Sequence, residues 1–238
     1  MKFDKDPFGH AIHDYANEPT TSENIAVVSD LCEEDIMPTA YLFRDFDMMP
    51  DIEQLALSLA KGKILDVGAC AGCHAKYLLA KGENVLSIDV SPGAITYLQQ
   101  KEIPAQQINF FDVKEKFDTL LILMNGIGIA GDLEGLPKFL SQIKNVLTPD
   151  GIAYCDSTDI RYLYTEEDGS MWVDLNARYH GEMQFKMTYK DSESDWFKWL
   201  YIDFELFSEY AQKEGLKATL VKEGDNNSYL TSLTHIAL

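Results

Sequence analysis

The sequence has few cysteines and no long apolar run. Four cysteines in 238 residues are too few to indicate a disulfide framework, so we interpret them as reduced thiols. The longest apolar run, Leu120 to Met124, is far shorter than the about 20 residues that a membrane-spanning helix needs. The first residues also lack the apolar segment of a secretory signal. These absences predict a cytoplasmic protein with no membrane partner.

Basic residues are scarce as well. Lysine and arginine total 20 against 39 aspartate and glutamate residues, which gives a formal net charge of -19. Within residues 1–60 the imbalance is 13 acidic to 3 basic side chains, and no cluster of basic residues is visible elsewhere. Binding to nucleic acid or to an anionic membrane surface depends on such clusters. We therefore predict no nucleic-acid partner, a neutral or cationic small-molecule substrate, and a monomer or a homodimer.

The composition is typical of one globular domain with an attached cap. Hydrophobic residues make up 46% of the chain and charged residues 25%, which suffices for a substantial core. Residues 1–60 show little periodicity and are predicted to form an N-terminal cap segment, while residues 61–238 form the main domain. Residues 160–202 are rich in aromatics and contain two alternating runs, GEMQFKMTYK and WFKWLYID, around DSES. This pattern predicts a β-hairpin insertion or lid.

From residue 63 onward, short apolar runs alternate with helix-length amphipathic stretches. This alternation is typical of an α/β fold, in which helices cover both faces of a parallel sheet. We predict a doubly wound, seven-stranded, mostly parallel sheet with an antiparallel last strand, because the short turn GDNN leaves the two closing strands antiparallel. The predicted strands are 63–67, 84–90, 106–110, 117–124, 151–157, 216–223 and 229–238, and the predicted helices are 71–81, 92–101, 136–147 and 204–214.

The most informative segment follows the first predicted strand of this sheet. Asp66 lies near the end of the strand, and Gly68 and Gly72 then form a turn that leads into a helix. Glycines let the backbone approach a ligand at the carboxyl edge of the sheet. The second strand ends with Asp89, 21 residues after Gly68, at a position suited to hydrogen bonds with ribose hydroxyls. We therefore predict a nucleoside ligand.

These residues resemble the class I S-adenosylmethionine-dependent methyltransferase family over about residues 61–157. The resemblance implies a Rossmann-like methyltransferase fold, S-adenosylmethionine as the cofactor, and in-line transfer of its methyl group to a small molecule. It assigns the first acid and the glycine turn to the methionine end of the cofactor, the second acid to the ribose and a third acid to the adenine. The cofactor residues that it implies are Asp66, Gly68, Ala69, Gly72, Asp89, Val90, Asp112, Asn125 and Gly126.

The glycine turn also permits other interpretations. A dinucleotide-binding dehydrogenase needs three glycines, but only Gly68 meets this pattern, because Cys70 and Cys73 occupy the other two positions. Cys70 to His74 satisfy the C-x-x-C-H pattern of haem attachment and the C-x-x-C pattern of a redox dithiol, although two small packed residues are the simpler interpretation. A non-catalytic regulatory protein that binds S-adenosylmethionine would carry the same nucleoside motif. No residue spacing indicates a metal site.

Arg44 is the only arginine before residue 161, and it lies in a strongly acidic segment. Its planar guanidinium suits a carboxylate. We therefore predict that Arg44, with Tyr41 beside it, binds the amino-acid end of the cofactor. The alternative is a surface ion pair with Asp45 or Asp47.

Two candidate catalytic residues, Asn125 and Asp156, lie at the ends of the fourth and fifth predicted strands. We predict that Asn125 orients the substrate or the amino group of the cofactor. Asp156 is predicted to attract a cationic nucleophile or to accept its proton. The alternatives are a turn amide bonded to its own backbone for Asn125 and a loop cap for Asp156.

Overall fold

The computed structural model describes residues 3–20, 23–32, 34–164 and 178–236. The N-terminal segment contains α1 (Pro7–Asn17), β1 (Ile25–Ser29), β2 (Asp35–Met37) and α2 (Asp51–Leu59). The central part contains β3 (Lys63–Val67), α3 (Cys73–Ala80), β4 (Asn84–Asp89), α4 (Pro92–Gln100), β5 (Ala105–Gln107), β6 (Phe117–Ile122), α5 (Leu136–Val146) and β7 (Leu147–Thr158). The last part contains β8 (Glu182–Tyr189), β9 (Ser192–Glu193), β10 (Phe197–Leu200), α6 (Phe204–Lys213), β11 (Leu216–Glu223) and β12 (Ser228–His235).

Seven strands form the main sheet, in the order β11-β12-β7-β6-β3-β4-β5. The strands from β7 to β5 are parallel, whereas β12 runs antiparallel to both of its neighbours. The central strands β3 and β6 are buried along most of their length, which explains their nearly continuous apolar sequences. The predicted sheet is confirmed. Across the described ranges, every helix is too short or too polar to cross a membrane.

Strand β7 begins earlier than the sequence predicts. The predicted strand begins at residue 151, whereas β7 begins at Leu147 and includes Pro149 and Asp150. Phe117 of β6 pairs with Leu147, and Thr119 pairs with Ile152, so the residues between Leu147 and Ile152 bulge out of the ladder. The turn-forming residues are accommodated by this irregularity because a bulge leaves backbone groups unpaired locally.

A second sheet joins the N-terminal cap to the insertion. Its order is β10-β8-β1-β2, with β9 also paired to β8. The predicted hairpin is present as the antiparallel pair β8 and β10, in which Phe185 lies opposite Phe197. Strand β1 adds to the other edge of β8, with Ala26 opposite Thr188. The low periodicity of residues 1–60 gave no indication of this pairing. Residues 165–177 of the predicted insertion lie outside the described residues.

The Asp6 side chain accepts hydrogen bonds from the first turns of two helices, and it thereby holds the N-terminal cap segment against the main domain. One carboxylate oxygen accepts a hydrogen bond from the Gly9 amide (2.9 Å), at the start of α1, and the other accepts from the Gly93 amide (2.9 Å), at the start of α4. Ser91 Oγ also donates to this carboxylate (2.8 Å). A Cβ on Gly9 would lie 2.7 Å from Gly93 Cα, so the close crossing of the two helices requires glycine.

Candidate active site

The glycine turn after β3 has free space beside Gly68. The backbone angle φ is +73° at Gly68, +51° at Cys70 and +76° at Gly72. The amides of Gly68 and Ala69 both donate to the carbonyl of Ile88 at the end of β4 (2.9 and 3.1 Å). A Cβ on Gly68 would meet no described heavy atom within 4 Å. The turn therefore combines a backbone conformation that favours glycine with free space beside it.

Asp89 ties the end of β4 to this turn. Its Oδ2 accepts from the Cys70 amide (2.9 Å) and its Oδ1 from the Ser91 amide (2.8 Å). Burial raises the pKa of the Asp89 carboxyl, against the opposing effect of these amide donors. Each oxygen has a second lone pair, so the carboxylate keeps capacity to accept hydrogen bonds from a ligand.

Asp66 is almost fully buried beside the turn, with 2% of its surface exposed. Its Oδ1 lies 3.5 Å from Nδ1 of His74, in the first turn of α3. Its Oδ2 is buried and has no hydrogen-bond partner among the described residues. Burial lowers the pKa of the His74 imidazole, but Cys73, Asp66 and Glu53 raise it by more, so that it lies well above its usual value. The two neighbouring carboxylates therefore favour the cationic form of His74.

Arg44 is buried, which contradicts the alternative of a surface ion pair with Asp45 or Asp47. Its Nη2 donates to the buried carboxylate of Glu53, on α2, and its Nη1 donates to the carbonyl of Tyr41 (2.8 Å). The guanidinium carbon lies 4.1 Å from the centre of the Tyr41 ring. Asp45 instead pairs with Lys76 at the surface (2.8 Å).

Glu53 and His74 complete this buried cluster, and neither was among the residues predicted from the sequence. Nε2 of His74 lies 2.8 Å from Oε2 of Glu53. Burial raises the pKa of the Glu53 carboxyl, but His74 and Arg44 lower it by more, so Glu53 is ionised. An acid among the buried positions Ile52, Ala56 and Leu57 of an amphipathic helix was the available signal.

The ends of β6 and β7 bring Asn125 and Asp156 together. Asp156 is 4% exposed, and its Oδ1 accepts a hydrogen bond from the Gly126 amide (3.2 Å). Burial raises its pKa to about 6, against the effect of the Asn125 and Gly126 amides. Asn125 has φ of +57°, and its side-chain oxygen accepts from Thr158 Oγ1 (2.7 Å) rather than from its own backbone.

Similarity to known proteins identifies the family of this chain. A family model described as a methyltransferase domain matches residues 65–155. The crystal structure of an S-adenosylmethionine-dependent methyltransferase from Bacteroides fragilis, in complex with S-adenosylhomocysteine, is 43% identical. It covers 100% of this chain and 98% of its own, with a TM-score of 0.93. This chain belongs to the class I S-adenosylmethionine-dependent methyltransferases.

More distant structures share the fold of this methyltransferase. A TehB-like S-adenosylmethionine-dependent methyltransferase from Corynebacterium glutamicum is 21% identical, covers 79% of this chain and 88% of its own, and has a TM-score of 0.53. The sugar N-methyltransferase KedS8 from Streptoalloteichus is 14% identical, covers 82% of this chain and 90% of its own, and has a TM-score of 0.57. The search of curated proteins gave no match.

The methyltransferase cofactor, S-adenosylmethionine, fits the residues at this edge of the sheet. The unpartnered Asp66 Oδ2 is an acceptor, the buried Arg44 Nε is a donor without a partner in the described part of the chain, and Gly68 borders free space. Such buried polar atoms are costly unless a ligand satisfies them. A zwitterionic amino-acid group joined to a nucleoside meets these requirements.

The other predicted cofactor residues of the methyltransferase differ in exposure. Ala69 is buried, whereas Val90 is 63% exposed and Tyr41 is 38% exposed. Asp112 is exposed on a short helical turn, Phe110–Asp112, after β5. Val90 and Asp112 are exposed, and they follow β4 and β5 in the chain. Their contacts with the adenine stay predictions.

The two cysteines of the glycine turn do not favour the redox-dithiol interpretation. Both are free thiols. Burial, followed by the charge of Asp89, raises the pKa of Cys70 well above its usual value, whereas a redox-active cysteine needs a stabilised thiolate. In the described ranges, no three histidine, cysteine or acidic side chains form a group that could hold a metal ion. The assignment to the methyltransferases replaces the haem and dehydrogenase interpretations.

Proposed function

We propose that this methyltransferase acts on a small molecule with an amino group, and that Asp156 accepts the proton of that group. The supporting observation is the buried carboxyl of Asp156 at the carboxyl end of β7, with a pKa raised to about 6. A carboxyl with this pKa is ionised at neutral pH and still basic enough to share a proton with an ammonium group. A protonated amine has no free electron pair, so it must lose a proton before it attacks.

Two tyrosines whose pKa values respond to the charge of Asp156 support a cationic acceptor. Burial, followed by Tyr162, Cys32 and, least, Asp156, raises the pKa of Tyr201 to about 12. Burial also raises the pKa of Tyr41, and the charge of Asp156 makes a small contribution to that shift. Carboxylates and aromatic faces both attract ammonium groups, including methylated ones. The strongly negative charge of the whole chain acts in the same direction.

The chain contributes mainly position and exclusion of water. Bound S-adenosylmethionine supplies a methyl group that its sulfonium already activates. We propose that Asp89 holds the ribose, that Arg44 and Asp66 hold the carboxylate and the ammonium of the amino-acid end, and that the backbone at Gly68, Ala69 and Gly72 lines the cofactor. Asn125 and Gly126 would then orient the acceptor beside Asp156. Such placement lowers the barrier without a separate catalytic dyad. A cytoplasmic location and a monomeric or homodimeric state stay predictions.

The proposed function is tested by binding and turnover. Calorimetric titration is expected to show binding of S-adenosylmethionine and S-adenosylhomocysteine, with NADH as the negative control. Purified protein is then incubated with S-adenosylmethionine and a panel of small amines, each paired with the alcohol of the same carbon skeleton. We expect S-adenosylhomocysteine to form with members of the amine set. Formation with the alcohols alone would contradict an amine acceptor, and a regulatory protein without turnover would form it with neither set.

Asp89→Asn is expected to weaken S-adenosylhomocysteine binding by about 1 to 3 kcal/mol, because a charged acceptor for the ribose hydroxyls is lost. The amide oxygen replaces only one of the two carboxylate acceptors, so the amide of Cys70 or of Ser91 loses its partner, and thermal unfolding of the variant checks that the fold is retained. Asp150→Asn is the control, since Asp150 is exposed near the amino end of β7, at the opposite edge of the sheet. Calorimetry measures both variants. Equal affinity of Asp89→Asn and the parent protein would remove Asp89 from the proposed site.

A further inference from the structure

Four buried side chains form an unbroken series of alternating charges. Arg44 donates to Glu53, Glu53 lies 2.8 Å from His74 Nε2, and His74 Nδ1 lies 3.5 Å from Asp66. Their exposed fractions are 7%, 3%, 6% and 2%. The two cations and two anions cancel, which keeps ionised groups tolerable in a buried place.

The four members come from different parts of the fold. Arg44 follows the short helical turn Thr39–Phe43 of the cap, Glu53 lies on α2, His74 on α3 and Asp66 on β3. Glu53 is the junction, because its Oε2 contacts both Arg44 and His74. The series therefore connects the cap to the glycine turn through α2.

Each end of the series keeps one polar atom without a partner in the described chain. At the arginine end this atom is the donor Nε, and at the aspartate end it is the acceptor Oδ2. A network that served only stability would be expected to satisfy its buried atoms, since each unsatisfied one costs free energy. A donor on a cation and an acceptor on an anion complement the carboxylate and the ammonium of an α-amino acid.

We infer that Glu53 and His74 are positioning residues that hold Arg44 and Asp66 in the arrangement required by the amino-acid group of the cofactor. This inference rests on the proposed placement of that group between Arg44 and Asp66. Glu53 orients the guanidinium so that Nε is left for the ligand carboxylate. His74 lies beside Oδ1 of Asp66, at ion-pair distance, and leaves Oδ2 for the ligand ammonium. Neither residue needs to contact the ligand.

The four charged residues lie apart from the proposed ribose site and would act on only one half of the cofactor, its amino-acid end. Asp89, proposed for the ribose, bonds instead to the amides of Cys70 and Ser91, which do not belong to the four charged residues. Loss of Glu53 or His74 should therefore weaken ligands that carry the amino-acid group and spare ligands that lack it. A role confined to folding would affect both kinds of ligand alike.

The test uses S-adenosylhomocysteine and 5′-methylthioadenosine, which shares the nucleoside and the thioether but lacks the amino-acid group. We expect Glu53→Gln and His74→Gln each to raise the Kd of S-adenosylhomocysteine by about 10- to 100-fold, the effect of a displaced charged hydrogen bond. The Kd of 5′-methylthioadenosine should stay within about two-fold, as for an independent site. Asp45→Asn is the matched control, because it removes only the exposed pair with Lys76 and should alter neither Kd.

Several results would overturn this inference. They are equal weakening of both ligands by the two variants, unchanged binding of S-adenosylhomocysteine, and equally tight binding of both ligands to the unaltered protein. The last comparison needs no variant, so it holds even if a substitution prevents folding. A different result bears on the proposed placement of the nucleoside: if Asp89→Asn leaves both ligands unaffected, the ribose site is wrong, whatever Glu53 and His74 do.

Discussion

Gly68→Val is expected to reduce the affinity for S-adenosylhomocysteine by at least about 100-fold, equivalent to about 3 kcal/mol. Gly68 has φ of +73°, a conformation that is strained for a β-branched residue. The added side chain would also project into free space, since no described heavy atom lies within 4 Å of a Cβ there. That space is the proposed location of the cofactor, so the substitution should exclude the ligand without displacing protein atoms. Calorimetric titration measures the loss.

Gly82→Val separates backbone strain from exclusion of the ligand. Gly82 has φ of +81° and equally free space around its Cβ within the described structure. It lies in the turn between α3 and β4, at the edge of the sheet opposite to the proposed site. We expect both variants to lose thermal stability and only Gly68→Val to lose binding. Equal S-adenosylhomocysteine affinity of the two variants would mean that the ligand does not occupy the space beside Gly68.

Asp156→Asn is expected to lower kcat for the amine acceptor by about 10²- to 10⁴-fold while leaving cofactor affinity nearly unchanged, because only the proton acceptor is lost. For the unaltered enzyme, the rate should rise with pH as Asp156 ionises, around its pKa of about 6. The variant should lack this rise. Rate measurements from pH 5 to pH 9, with Asp150→Asn as the control on the same strand, test both points. An unchanged pH profile in Asp156→Asn would rule Asp156 out as the base.

Asp156→Asn is expected to stabilise the folded protein at pH 8, although it lowers the catalytic rate. Because burial raises the pKa of Asp156 from 3.8 to about 6, the folded protein holds a proton that the unfolded chain has released between these pH values. Ionisation therefore costs the fold up to about 3 kcal/mol above pH 6, and this cost is absent below pH 3.8. Asp156→Asn should be more stable than the parent protein at pH 8, with a smaller gain at pH 5. Denaturant unfolding that shows a loss at pH 8 would contradict the assigned environment.

Local sequence patterns were sufficient for the main sheet and for the motif at its edge. Strand β3, the glycine turn and Asp89 all lie within one stretch of 27 residues, from 63 to 89. Apolar runs, the cap Ser91 and Pro92 at the first position of α4 are likewise local signals. Such features depend on backbone preferences and on side-chain periodicity, which the sequence carries without knowledge of distant contacts.

Contacts between distant segments needed the tertiary structure. Strand β1 pairs with β8, although about 160 residues separate Ala26 from Thr188, and β1 lies in a segment of little periodicity. Arg44 was predicted to bind the carboxylate of the cofactor. The sequence alone could not show which of several nearby acids would also pair with it, and in the structure this acid is Glu53.

The amino-acid sequence by itself determined the α/β class, the order of the core strands along the chain and the position of Asp66, Gly68 and Asp89 at the carboxyl edge of the sheet. The tertiary structure alone decided that the cap and the insertion share a sheet, and that Glu53 and His74 connect Arg44 to Asp66. The physical reason is that a side chain's charge and hydrogen bonds depend on its neighbours in space. Burial selects those neighbours through packing of elements that are far apart in the chain.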